Sequence, residues 1–71
     1  MSDMVKVIEV IAQSSKSFDD AVKTAVREAA RTVTGLKSIW IDNFSAEIDG
    51  DKITHYRVNA KISFVLKADG K

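Results

Sequence analysis

The chain has 71 residues, no cysteine, one histidine and a formal net charge of +1. A domain of this length buries only a small core, and the composition excludes the disulfides, thiolate metal sites and multi-histidine zinc sites that stabilise many small domains. Because the balanced charge offers no basic surface for nucleic acid and no apolar run reaches the ~18 residues of a membrane helix, we expect a cytoplasmic protein that associates with itself and contacts neither nucleic acid nor membrane.

The first predicted element is a strand over residues 4–12, which reads MVKVIEVIA. Its many β-branched residues are typical of strands. Apolar side chains lie on both faces, and a strand of this kind is usually covered on both. Since one helix covers only one face, the second cover must come from elsewhere, and this pattern indicates a homo-oligomer.

An amphipathic helix is predicted over residues 18–34. Ser17 is a favourable N-cap, because its hydroxyl can accept a hydrogen bond from a free amide of the first turn. Apolar residues recur at steps of three and four from Phe18 to Val33, which gives a continuous stripe for packing on a sheet. Gly35 fits the left-handed residue that closes a helix.

Two further strands, over residues 38–48 and 53–66, are predicted to form a hairpin. Gly50, in the turn between them, supplies the positive φ that tight hairpins need. The last strand alternates apolar and polar residues, as expected when one face lies in a core. The expected fold is therefore α+β: a β-α-β-β domain over residues 1–71, with a three-stranded antiparallel sheet packed around one amphipathic helix.

The two-residue turn also predicts which side chains share a sheet face. Its register places Trp40 opposite Lys61 and Phe44 opposite Arg57, all on the face away from the helix. An exposed aromatic patch marks an interface or a ligand site. A flat ring beside cations can stack an aromatic ligand and hold an anionic tail, whereas Trp40 would serve equally well in a subunit interface, where tryptophan is enriched.

The sequence offers no catalytic set. It has no cysteine nucleophile, no glycine-rich phosphate loop and no evident partners for a triad with His55, so we do not expect an enzyme. Four acidic residues near the hairpin carry the oxygen ligands that calcium prefers: Asp42, Glu47, Asp49 and Asp51. Their spacing does not match an EF-hand loop, and solvated turn carboxylates are the plainer interpretation.

The chain resembles the dodecins in the helix opening SFDDAV, the run TVTGLKSI after the helix and the last strand YRVNAKISFVL. The resemblance covers almost the whole chain. It implies a subunit of a hollow homododecamer that stores or buffers a small ligand and catalyses no reaction. The implied ligand is a flavin, such as riboflavin or FMN, bound between subunits. A second group of dodecins is associated with calcium and lacks the flavin-binding residues.

The resemblance also implies which residues would bind the ligand. The flavin-stacking tryptophan of the family falls at Ser38, whereas the tryptophan of this chain, Trp40, stands two residues later. The family's pocket glutamine falls at Arg57, which still offers hydrogen-bond donors. The predicted cofactor site consists of Trp40, Arg57, Ser38, Phe44 and Lys61. Because both signature residues differ, the alternatives are a calcium-associated dodecin without flavin and a purely structural assembly module.

Overall fold

A computed structural model describes residues 3–66, in which it contains one helix and three strands. The elements are β1 (Met4–Ser14), α1 (Phe18–Thr32), β2 (Leu36–Asp49) and β3 (Lys52–Leu66). The predicted β-α-β-β fold is confirmed. The strands form one antiparallel sheet in the order β1-β3-β2, so the last strand lies in the centre. No helix within residues 3–66 is long and apolar enough to cross a membrane.

The start of α1 follows the predicted capping chemistry. The Ser17 hydroxyl accepts a hydrogen bond from the Asp20 amide at 2.9 Å, which satisfies one of the free amides of the first turn. The Ser14 hydroxyl donates to Asp20 Oδ2 at 2.6 Å and ties the end of β1 to the same turn. β1 therefore continues past the predicted end at residue 12 as far as Ser14, which pairs with Tyr56.

Gly35 lies in the connection between α1 and β2 and has a φ of +77°. The prediction that it closes a helix ending at residue 34 is wrong, because α1 ends at Thr32 and Val33 is the extended C-cap residue. Gly35 instead leads the chain into β2, where its carbonyl accepts a hydrogen bond from the Val65 amide at 3.1 Å. A Cβ at position 35 would lie 3.2 Å from the Val65 carbonyl oxygen, so the backbone conformation and the close approach both favour glycine.

Gly35→Ala is therefore expected to destabilise the protein more than Gly50→Ala, as measured by the free energy of unfolding in urea. Gly50 also has a positive φ, +66°, but a Cβ there would meet nothing within 4 Å. The control variant should lose about 1–2 kcal/mol, the cost of a left-handed alanine. The Gly35 variant should lose more, since the backbone of a paired strand cannot move aside easily. Equal losses would show that the approach to Val65 is unimportant.

The core lies between α1 and one face of the sheet. The helix contributes Ala21, Ala25 and Ala29, and the central strand contributes Val58 and Ile62, which are 0% and 1% exposed. Because the helical side chains are small, α1 can lie close to the sheet. We call this side of the sheet the helix face.

The opposite side of the sheet is the outer face. Its residues follow from the strand pairing and the alternation of side chains along each strand. They are Val5, Val7, Glu9, Ile11 and Gln13 of β1; Ser38, Trp40, Asp42, Asn43, Ser45 and Glu47 of β2; and His55, Arg57, Asn59, Lys61, Ser63 and Val65 of β3.

A β-bulge in β2 changes the alternation of side chains along that strand. Ile41 pairs with Ala60 and Asn43 pairs with Asn59, so Asp42 is an extra residue without a partner of its own. An extra residue shifts every following side chain to the opposite face. Asp42 and Asn43 consequently both lie on the outer face.

The bulge moves Phe44 away from the predicted position. Phe44 pairs with Val58 instead of Arg57, and its ring lies edge-on to the Phe18 ring of α1, with 5.1 Å between centroids. The prediction that Phe44 shares the face of Trp40 is therefore wrong: Phe44 lies on the helix face, beside the start of the helix.

The β2–β3 hairpin extends past the end of β1 as a two-stranded ribbon. β1 ends opposite Tyr56, which leaves residues 47–55 without a third strand. The predicted pairing across the two-residue turn is confirmed. Ile48 and Ile53 pair across the ribbon and are 70% and 51% exposed. Two-stranded ribbons are only marginally stable in water by themselves, so any contact that covers this segment would increase its stability.

Candidate functional site

The outer face carries large apolar side chains that no other part of the described chain covers. Trp40 is 51% exposed, and Val5, Val7 and Ile11 of β1 are between 45% and 65% exposed. Monomeric proteins rarely leave such side chains together on one open surface unless it binds something. The outer face, on which Trp40 was predicted to lie, is therefore the candidate functional site.

Trp40 stands beside a small charged cluster. It pairs with Lys61, which in turn pairs with Glu9 on the other side of β3. Lys61 Nζ lies 3.0 Å from Asp42 Oδ2 and 3.9 Å from Glu9 Oε2. The hydrogen bond to Asp42 and the charge of that carboxylate raise the pKa of Lys61 and so favour its ammonium form. Together with Val7, three of these side chains line a shallow depression: Trp40, Asp42 and Lys61.

Ser38 lies next to this depression and has no aromatic ring on which a ligand could stack. It pairs with Ser63, and the two hydroxyl oxygens are 2.7 Å apart. One of the two hydroxyls donates to the other, and the accepting hydroxyl keeps its own hydrogen for a further partner. Among the described residues, Trp40 is the one tryptophan, tyrosine or phenylalanine on this face, so its indole is the large ring on which a flat ligand could stack.

Arg57 lies on the same face but farther along β3. It stands four residues from Lys61, which corresponds to about 13 Å along a strand. Its guanidinium contacts Glu47 Oε2 at 2.7 Å and donates to Gln13 Oε1 at 3.2 and 3.3 Å. The hydrogen bond and the charge of Arg57 lower the pKa of Glu47 below its usual value of 4.5. The donors of Arg57 are thus directed at its neighbours within the chain.

The structure brings together some of the five predicted site residues and separates others. Trp40, Lys61 and Ser38 are close neighbours on the outer face. Arg57 shares that face at a distance, and Phe44 lies on the other side of the sheet. Only the first three can contact one small ligand from a single chain.

Asp42 is the residue at the depression that the predicted site lacked. It lies at the bulge, for which the sequence does carry a signal. The apolar residues of β2 fall at odd positions in Ile39 and Ile41 but at even positions in Phe44 and Ala46. A change of phase within one strand indicates an inserted residue between the two runs.

The four acidic residues near the hairpin do not form a common site. Asp42 and Glu47 each pair with a cation, whereas Asp49 and Asp51 lie beside the turn. Within residues 3–66, no three side chains of histidine, cysteine, aspartate or glutamate converge to hold a metal ion. The described part of a single chain thus offers no calcium site of this kind.

Comparison with known proteins gives one family. A family model described as Dodecin matches residues 4–67, which is most of the chain. No curated protein matches the sequence.

Several solved structures share the fold. Dodecin from Streptomyces coelicolor superimposes with a TM-score of 0.90 at 27% sequence identity, covering 94% of this chain and 96% of that chain. A point variant of dodecin from Thermus thermophilus gives 0.88 at 20% identity, covering 93% and 98% of the two chains. The calcium dodecin of Mycobacterium tuberculosis, described as a calcium-chelating antigen with a novel calcium-binding site, gives 0.80 at 24% identity and covers 96% and 97%.

Proposed function

The chain belongs to the dodecin family, and from this premise we propose that it forms a homo-oligomer that binds a flavin on the outer face of its sheet without catalysing a reaction. One observation carries the proposal. Trp40 is half exposed on a sheet face whose other apolar side chains, Val7 and Ile11 among them, are also uncovered by the chain itself. A second copy and a flat ligand would remove these surfaces from water.

The proposed assembly is the homododecamer that the dodecin family implies. Two parts of the chain favour association. β1 is apolar on both faces while α1 covers only one of them. The ribbon of residues 47–55 exposes the pair Ile48 and Ile53 at its end, which a neighbouring subunit would bury.

The proposed ligand is a flavin such as riboflavin or FMN, with its ring stacked on Trp40. Lys61 and the hydroxyl of Ser38 lie beside the indole and can donate hydrogen bonds to ring oxygens. Arg57 would reach a ligand only from farther along the face or from another subunit. The proposed role is storage or buffering, because stacking and hydrogen bonding hold a ring without changing it.

The test measures native mass and flavin binding on the same sample. Multi-angle light scattering at micromolar subunit concentration should give the mass of a dodecamer. Added riboflavin should lose fluorescence as its ring stacks on the indole. A monomeric mass would contradict the assembly, and unchanged fluorescence at roughly tens of micromolar protein would contradict a buried flavin site.

Calcium binding and a purely structural assembly are the other outcomes of this test. If calcium binds the folded protein, it should raise the melting temperature by mass action, and a chelator should reverse the rise. A calcium response without quenching of riboflavin would replace the flavin proposal by a calcium-associated function. An assembly that responds to neither ligand would be a structural module.

A further inference from the structure

The residues around Trp40 carry more negative than positive charge. One row across the sheet runs from Glu9 through Lys61 to Trp40, and the bulged Asp42 lies beside it. Lys61 Nζ is 3.0 Å from one carboxylate and 3.9 Å from the other. Two carboxylates therefore face one ammonium group, which gives this neighbourhood a formal charge of −1.

The other cations near this end of the sheet do not reverse that balance. Arg57 is compensated by Glu47, whose Oε2 lies 2.7 Å from the guanidinium. Lys37, at the start of β2, lines two other depressions, one with Val26 and Ile39 and one with Gly35 and Val65, and does not line the depression at Trp40. Neither side chain supplies an uncompensated positive charge beside the indole.

Riboflavin and FMN differ only in the terminal phosphate of FMN, which carries a charge of about −1.5 to −2 at neutral pH. A phosphate held near Trp40 would meet a carboxylate in excess and an ammonium group that already has its partner. Repulsion between like charges at a water-exposed surface corresponds to roughly a threefold to tenfold change in affinity.

We infer that the site at Trp40 takes an uncharged flavin, such as riboflavin or lumichrome, in preference to the phosphorylated FMN. The inference rests on the proposed flavin site and states which flavins that site prefers. Asp42 is the specificity-determining residue, because its carboxylate lies 3.0 Å from Lys61 Nζ and compensates the cation nearest to the indole.

The test compares the dissociation constants of riboflavin and FMN by isothermal titration calorimetry at low salt. The natural protein should bind riboflavin at least about threefold more tightly, and added salt should narrow the difference. Asp42→Asn removes the negative charge that faces Lys61 and should raise the affinity for FMN relative to riboflavin. Glu9→Gln should also raise the affinity for FMN relative to riboflavin, and it leaves the hydrogen bond between Lys61 and Asp42 in place.

Asp19→Asn is the matched control, because it makes the same change of charge on the helix surface, where Asp19 pairs with Lys23 at 3.1 Å. It should leave the ratio of the two affinities unchanged. FMN binding that equals or exceeds riboflavin binding in the natural protein would overturn the inference and leave the flavin site standing. An Asp42 variant that behaves like the control would also overturn it. If neither flavin binds, the proposed function itself fails.

Discussion

Trp40→Ala is expected to weaken riboflavin binding by roughly 5-fold to 150-fold, whereas Phe44→Ala should leave it nearly unchanged. Stacking of a planar base on an aromatic side chain is worth about 1–3 kcal/mol, which corresponds to that range of affinities. The two variants form a matched pair, because both remove a half-exposed aromatic ring from β2. The exposed fractions are 51% for Trp40 and 55% for Phe44, but only Trp40 lies on the outer face.

Calorimetry is the suitable measurement, because its signal does not depend on quenching by the indole that the first variant lacks. Phe44 also contacts Phe18 at the start of the helix, so the assembly of the variants is checked by light scattering. Both variants should have the native mass of the natural protein. A loss of affinity in the Phe44 variant as large as in the Trp40 variant, with the assembly intact, would contradict the separation of the two rings by the sheet.

Ile62→Ala is expected to lower the free energy of unfolding by about 2–5 kcal/mol, the usual range for removing a buried isoleucine side chain. Ile62 is 1% exposed and lies on the central strand beneath the helix. Small domains have only a few kcal/mol of net stability, so this variant should be largely unfolded as a single chain.

Ile53→Ala is the control for Ile62→Ala, because it makes the same chemical change in the same strand at a side chain that is 51% exposed. It should cost less than about 1 kcal/mol. Both variants are compared by urea denaturation at a subunit concentration low enough for light scattering to show a monomer, because association stabilises the folded state by mass action and would bury Ile53. Equal losses would contradict a core centred on the helix face.

The topology was predictable because each element carries its own local signal. Ser17 and the apolar stripe after it define the start and the buried side of the helix. Gly50 defines the turn of the hairpin, at a φ of +66°. These signals act over a few residues, so the sequence alone is sufficient to place them. The end of the helix was less predictable, because Val33 continues the apolar stripe while its backbone is already extended.

The candidate site was only partly predictable, because two bulges in the hairpin offset each other. Between the turn and Trp40, β3 has an extra residue at Thr54 and β2 has one at Asp42. A register counted from the turn is therefore off by one between the bulges and correct beyond them. Trp40 was predicted opposite Lys61 for this reason, while Phe44 was predicted on the wrong face.

The bulge changes the face of Asn43 and not that of Asp42. Alternation without a bulge also puts Asp42 on the outer side, but it does not place Asn43 there as well. Simple alternation thus gives the faces of the residues before the bulge and misses those after it. Contacts between side chains of different strands, such as Lys61 with Glu9, require the strand order β1-β3-β2 as well.

The bulge at Asp42 also bears on how residue roles are transferred between relatives by alignment. An insertion or deletion of one residue in this segment exchanges the two faces of β2 for every position up to the hairpin. At identities of 19–27%, an alignment can shift by one column here without a visible penalty. Roles along β2 are therefore best transferred through the partner residue on β3, which stays in register with the core, rather than by counting positions in the strand.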